Sequence, residues 1–143
     1  MMSYENAFRA IKTAINSKAF QAFYDNAAVI GNFKVGVLSD VEKRLLATET
    51  DFVLMSKESL EHHKSKHPEI TLDDYKKLPE IIAKGEIYET QERRYILLKI
   101  EEKTYRAAMK VTKSKTEVYL LSLIAQSNKK ADIEIRNKFK QLR

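Results

Sequence analysis

The chain has 143 residues, of which 43% are hydrophobic and 32% charged; it has no cysteine and a formal net charge of +6. That length supports one domain with its own core. The lack of cysteine excludes disulfide staples, thiolate nucleophiles and Cys-ligated zinc or iron–sulfur centres.

Tyr4, Ala7, Phe8, Ile11, Ala14, Ile15, Ala19, Ala22 and Phe23 recur at three and four residues, which predicts an amphipathic helix. A break is expected near Asn16–Ser17, with Ser17 capping a second segment that ends before Gly31. Phe33–Leu38 reads as a short strand, and Ser39 to Glu42 forms a capping box opening a helix over Val41–Ala47. Asp51–Met55 reads as a second strand. Ser56 then caps a helix over Lys57–Lys66, which must stop at His67 because Pro68 disfavours α geometry in the residue before it. Thr71 to Asp74 starts a further turn of helix, Pro79 suits the first turn of another, and Gly85 suits its end.

Beyond Gly85 the period shifts towards 2. Glu86–Gln91, Arg94–Ile100, Thr104–Val111 and Thr116–Ala125 predict an antiparallel meander of four strands. From Ser127 the basic run with Ile133, Ile135, Phe139 and Leu142 predicts a weak terminal helix or tail. Helices followed by strands indicate an α+β fold, with N-terminal helices on one face of a roughly four-stranded antiparallel sheet and the other face open. The segments are a helical extension over 1–32, an α+β domain over 33–126 and a basic C-terminal stretch over 127–143.

The charge is one-sided. Residues 93–143 hold 14 Lys+Arg against 5 Asp+Glu, a net of +9, whereas residues 1–92 hold 12 against 15. Such a field suits a polyanion: nucleic acid, an anionic membrane surface or an acidic protein. No apolar run nears the roughly 18 residues that span a bilayer, and MMSYENAFRAIK carries no signal-peptide core. A cytoplasmic location with no membrane partner is expected.

All three histidines fall between Ser59 and Leu78. His63 and His67 are four apart, an HxxxH spacing that suits zinc, but Lys64 and Lys66 lie between them and no third ligand is evident. No metal is expected. His67, at a forced helix end, is either a positioned acid–base group or a cap on the last helical carbonyls. His62 reads as solvated. Cleaving RNA without metal requires proton-transfer groups and cations that stabilise the phosphorane. His67, Lys110, Arg106 and Ser122 are the right types, with strand alternation placing Arg106 and Lys110 on one face. For Ser122 the rival is a small polar strand residue. Tyr105, Tyr119 and Tyr95 are candidates for base stacking or for core packing. Neither GxxxxGK[ST], GxGxxG nor GxSxG occurs, so no nucleotide cofactor is expected.

The succession VGVLSD, VLMSKESLEHHKSKHPE, ITLDDYKKLPEIIAKGEI and YRAAMKVTKSKTEVYLLSLI resembles phage-associated nucleases of the barnase, EndoU, colicin and RelE superfamily, a module found at the C-terminus of Mu-like phage head-morphogenesis proteins. The resemblance spans about Phe33 to Ala125. It implies an α+β fold and metal-independent ribonuclease activity of phage or prophage toxin type, with no cofactor. Under it His67 matches the motif histidine, with His62 or His63 in the preceding helical histidine position, and Lys110, Arg106 and Ser122 complete the catalytic set; His63, Lys64 and Tyr105 are the expected substrate-binding residues. RNA is the implied partner, with a phage protein or an immunity protein as a further one, and delivery into a host cell as an alternative to a purely cytoplasmic life. Two other readings stand beside it: a non-enzymatic module holding nucleic acid or an acidic partner on the basic sheet face, and an oligomer formed through Tyr4, Phe8, Ile11, Ile15 and Phe23.

Overall fold

The computed structural model describes residues 3–26, 28–126 and 129–143. The initial Met1 and Met2, and residues 127 and 128 at the head of the expected C-terminal stretch, lie outside the described residues. Each early helix begins at a hydroxyl cap. Ser3 accepts from the Asn6 amide at the start of α1 (Tyr4–Ile15), and Ser17 accepts from the Ala19 amide at the start of α2 (Lys18–Asp25). The apolar stripe faces inward: Ile15, Phe20 and Phe23 enter the main core, while Ala7 and Ile11 pack on Val37 and Phe52. Ile11, Ile15 and Phe23 of the stripe proposed for oligomerisation thus have intramolecular partners, whereas Tyr4 is exposed and Phe8 half-buried.

The chain continues through β1 (Asn32–Val37), α3 (Asp40–Leu46), β2 (Phe52–Ser56), α4 (Lys57–Lys66), α5 (Leu72–Tyr75) and α6 (Leu78–Lys84). The Ser39–Glu42 capping box forms, and so does its counterpart between Thr71 and Asp74. α4 ends with His67 as its C-cap, as the following proline requires. Gly85 caps α6, and there a side chain would collide with Ile96 and the Ile81 carbonyl.

The strands β3 (Glu86–Glu89), β4 (Arg94–Ile100), β5 (Lys103–Val111) and β6 (Val118–Gln126) form the expected antiparallel meander. The sheet itself is larger than four strands. Its order is β1-β2-β6-β5-β4-β3-β7, where β7 is Lys140–Gln141, and β2 runs parallel to β6. The N-terminal strands extend the meander at one edge and the C-terminal strand extends it at the other, giving a mixed, seven-stranded α+β fold. Pairing across nearly the whole chain length creates this, and no local pattern encodes it.

Between β5 and β6 the register slips, with Ala108 opposite Ser122 and Met109 opposite Leu120. Leu121 is the extra residue of a bulge on β6, which lets Val118, Leu120 and Leu123 all enter the main core despite their spacing.

The C-terminal stretch is folded into the domain. α7 (Lys129–Lys138) crosses the sheet face opposite α1–α6, where Ile135 and Phe139 pack on Tyr88, Tyr95 and Leu97. β7 then pairs with β3. The Arg143 guanidinium donates to the carbonyls of Gly85 at 2.9 Å and Ile82 at 2.9 Å, and to the buried Glu42 carboxylate. The second sheet face, expected to be open, is thus partly roofed by α7. Among the described residues, no helix is long and apolar enough to cross a membrane.

Candidate functional site

The sheet separates two groups of polar side chains. On the α1–α6 face, β2 makes its last pair with β6 at Leu54 and Tyr119 and then turns into α4. The β6 edge beyond that point meets α4, and the Leu123 amide donates to Nε2 of His63 at 3.2 Å. With Nε2 accepting, the ring proton sits on Nδ1 and is donated to the Tyr75 hydroxyl. Burial, and then the neighbouring His67 ring, hold His63 below the usual histidine value, so the imidazole is neutral. Burial pushes the Tyr75 hydroxyl well up, keeping it protonated. His63 is 6% exposed and is bonded through both nitrogens; it ties α4 to the sheet and to α5.

The neighbouring polar groups are closed in the same way. Lys64 donates to the Tyr24 carbonyl at 2.7 Å, its ammonium 4.1 Å from the Tyr24 ring centroid. The buried Lys57 donates to the carbonyls of Phe23 and Tyr24 and pairs with Glu61 at 2.6 Å. These two lysines satisfy the last carbonyls of α2, which a helix end leaves without partners. Tyr105 is 2% exposed and donates to Asp74 Oδ1 at 2.7 Å. Asp74 also accepts from the Thr71 amide at 2.9 Å and from Lys103 at 3.3 Å. Burial pushes its carboxyl up, but the donors from Thr71, Tyr105 and Lys103 outweigh that and hold it below the usual aspartate value. His67 lies at the rim of this face, its ring centroid 4.9 Å from that of His63 and its Nδ1 3.1 Å from Glu69 Oε1.

On the opposite face, α7 and the sheet enclose a cleft. Its inner chamber, of about 400 Å³, is lined by Arg93, Tyr95, Arg106, Ser122, Glu134 and Lys138, together with apolar neighbours. It opens into an outer chamber of about 750 Å³ between the β3–β4 turn and the turn from α7 to β7, with Arg93, Tyr95, Lys138 and Phe139 common to both. Among the described residues, Arg93, Arg106 and Lys138 form no ion pair, whereas Arg94 and Arg136 are taken up by Glu89 and Glu86. Tyr95 and Phe139 stack with centroids 5.7 Å apart and an interplanar angle of 13° on the cleft wall. Asp132 is buried on α7; burial raises its carboxyl, opposed by Arg136 and Arg106.

The expected site residues therefore divide. Arg106 and Ser122 meet in the cleft. Lys110 shares their face by strand alternation but is exposed and lies outside the cleft lining. His67, His63 and Lys64 lie on the helical face, so the four-residue catalytic set is not assembled: a β-sheet stands between its proton-transfer group and its cations. His63, Lys64 and Tyr105, expected to bind substrate, instead have their polar atoms engaged inside the protein. Arg93, Lys138 and Phe139 were not among the sequence-derived candidates. The +9 of residues 93–143 was the one signal for the two cations, and that field does not specify which of fourteen cations share a cleft.

Comparison with known proteins finds no matching family model, no matching curated protein and no matching solved structure. Among the described residues, no group of three or more His, Cys, Asp or Glu is placed to hold a metal ion.

Proposed function

We propose that the protein is a polyanion-binding module whose ligand is nucleic acid, held in the cleft between α7 and the sheet. The observation that carries this reading is the convergence of Arg93, Arg106 and Lys138, from a turn, a strand and a helix, on one chamber where Glu134 is the one acidic lining residue and, among the described residues, none of the three cations is ion-paired. Three cations against one lining carboxylate leave a concave surface with excess positive charge, and an anionic ligand relieves the remaining repulsion. The chamber also offers the Ser122 hydroxyl as a donor and an aromatic wall. The resemblance described above points to the same ligand class. It also points to cleavage, for which His67 would have to reach substrate held across the sheet.

The test is binding measured over a salt series. Log affinity for RNA is expected to fall with log salt at about 0.7 units per phosphate neutralised. Arg93→Glu, Arg106→Glu and Lys138→Glu should each weaken binding and lower that slope, while Lys99→Glu, a change of the same charge outside the cleft lining, should do less. Equal losses at all four positions would remove the cleft from the proposal. RNA cleavage in EDTA that disappears in His67→Ala would instead support the acid–base reading.

A further inference from the structure

The construction of the cleft narrows the ligand class, an inference that rests on nucleic-acid binding at this site. The three cations approach from different sides, and the inner chamber of about 400 Å³ is at the small end for ligand sites, room for little more than one nucleotide unit. α7 lies over it as a roof, held by Ile135 and Phe139 against Tyr88, Tyr95 and Leu97 on one side. Past that roof the chain returns to the sheet as β7, and the Arg143 contacts with Gly85, Ile82 and Glu42 fasten its end. An inner chamber of this size between α7 and the sheet admits part of a single strand but not the full width of a duplex.

The outer chamber adds the second requirement. Tyr95 and Phe139 line it beside Arg93, Lys138 and Lys140. An aromatic surface flanked by cations offers stacking to a base and charge to the adjoining phosphates. Stacking of that kind is open only to a base that is not already paired and stacked within a helix. Glu89 and Glu92 also line this chamber, with Glu89 neutralised by Arg94 at 3.3 Å, so the cationic side prevails where the aromatic pair lies.

We infer that the cleft takes single-stranded nucleic acid in preference to duplex, with a phosphate at Arg106 and Ser122 in the inner chamber and a base against the Tyr95–Phe139 wall. The backbone provides the charge and the base provides the strand selectivity. Because backbone charge and base stacking are available to every nucleotide, sequence preference is expected to be weak.

The experiment uses the full chain and a fluorescein-labelled oligoribonucleotide of about 12 nucleotides, the length scale of a single-strand site. The same oligomer annealed to its complement, and a single-stranded DNA of the same sequence, form the other arms. Single strands of both kinds are expected to bind about tenfold or more tightly than the duplex, and Tyr95→Leu to erase most of that preference while Tyr95→Phe keeps it. Because Tyr95 also packs on Phe139, a second readout avoids dependence on folding of the variant: ultraviolet crosslinking of wild type to a 5-bromouridine-substituted oligomer, located by mass spectrometry. Crosslinks at Tyr95 or Phe139 support the inference. Duplex binding as tight as single strand, with both lost in Arg106→Glu, would overturn the strand selectivity while leaving nucleic-acid binding at the cleft in place. Crosslinks confined to the α1–α6 face, with Arg106→Glu silent, would overturn the cleft itself.

Discussion

The two faces of the sheet use polar residues in opposite ways. On the α1–α6 face, His63, Lys57, Lys64, Asp74 and Tyr105 are drawn into a core, and each finds partners there: an amide, a carbonyl, a hydroxyl or an opposite charge. On the α7 face, Arg93, Arg106 and Lys138 stand around an open cleft and, among the described residues, form no ion pair there. A polar group deep in a protein must be satisfied internally or it costs more than it contributes. Cations left unsatisfied beside water are free to take a ligand. Chemical type alone does not distinguish these cases, and the histidines demonstrate it: the residue type most suggestive of catalysis here caps a strand amide.

The largest test of the comparison is His63→Ala. It removes two buried hydrogen bonds and leaves the Leu123 amide orphaned, so a loss of about 2–4 kcal/mol is expected in urea unfolding, with RNA affinity of the folded protein unchanged. Stability should also depend on pH through this ring. The unfolded chain takes up the proton near 6.5 and the folded one only at lower pH, so the contribution is whole above that value and declines as pH falls through it. His63→Gln should flatten that limb of the pH–stability curve; an unchanged limb would separate His63 from it.

Asp74→Asn comes next, at about 2 kcal/mol, because Lys103 loses its counter-charge and the Tyr105 hydroxyl loses an ionised acceptor. The sign on pH is the usual carboxylate one. The Asp74 contribution is present above the unfolded aspartate value and is lost as pH falls through the lower folded one. Thermal melts of wild type and variant at decreasing pH should converge at the acid end.

Arg106→Ala carries the comparison to the other face. Roughly tenfold weaker RNA binding, about 1.4 kcal/mol, is expected by fluorescence anisotropy, with unfolding free energy moved by only about 0.5 kcal/mol. A variant that loses stability and keeps affinity would make the two faces alike. The smallest effect belongs to His67→Ala. Its contact with Glu69 is exposed at the protein surface, so stability should move by less than about 0.5 kcal/mol in the same urea assay, and RNA affinity should stay at the wild-type value. A large change in either would give His67 a role that its position does not supply.

Local structure was legible because its causes are local. The hydroxyl caps at Ser17, Ser39, Ser56 and Thr71, the stop before Pro68 and the alternation of β3 to β6 each depend on residues within a few positions of one another. The joining of β2 to β6, separated by more than sixty residues, has no such signature, and neither does the return of β7 to β3. The site failed to read for the same reason. Placing His67 with Arg106 required the α4 end and β5 to meet on one face, and periodicity tells which residues of a strand share a face but not which face a distant helix covers.

From its sequence alone this protein was committed to an α+β domain, to its helix boundaries, to an antiparallel meander and to a basic C-terminal third. Only the tertiary structure decided that β1, β2 and β7 widen the sheet to seven strands. It also decided that α7 roofs the second face, and that the histidines and the cleft cations lie on opposite sides. The physical reason is range: capping, sterics and side-chain alternation act over a few residues, whereas strand partners and cleft walls are chosen by burying apolar surface across the whole chain, a free energy no short segment contains.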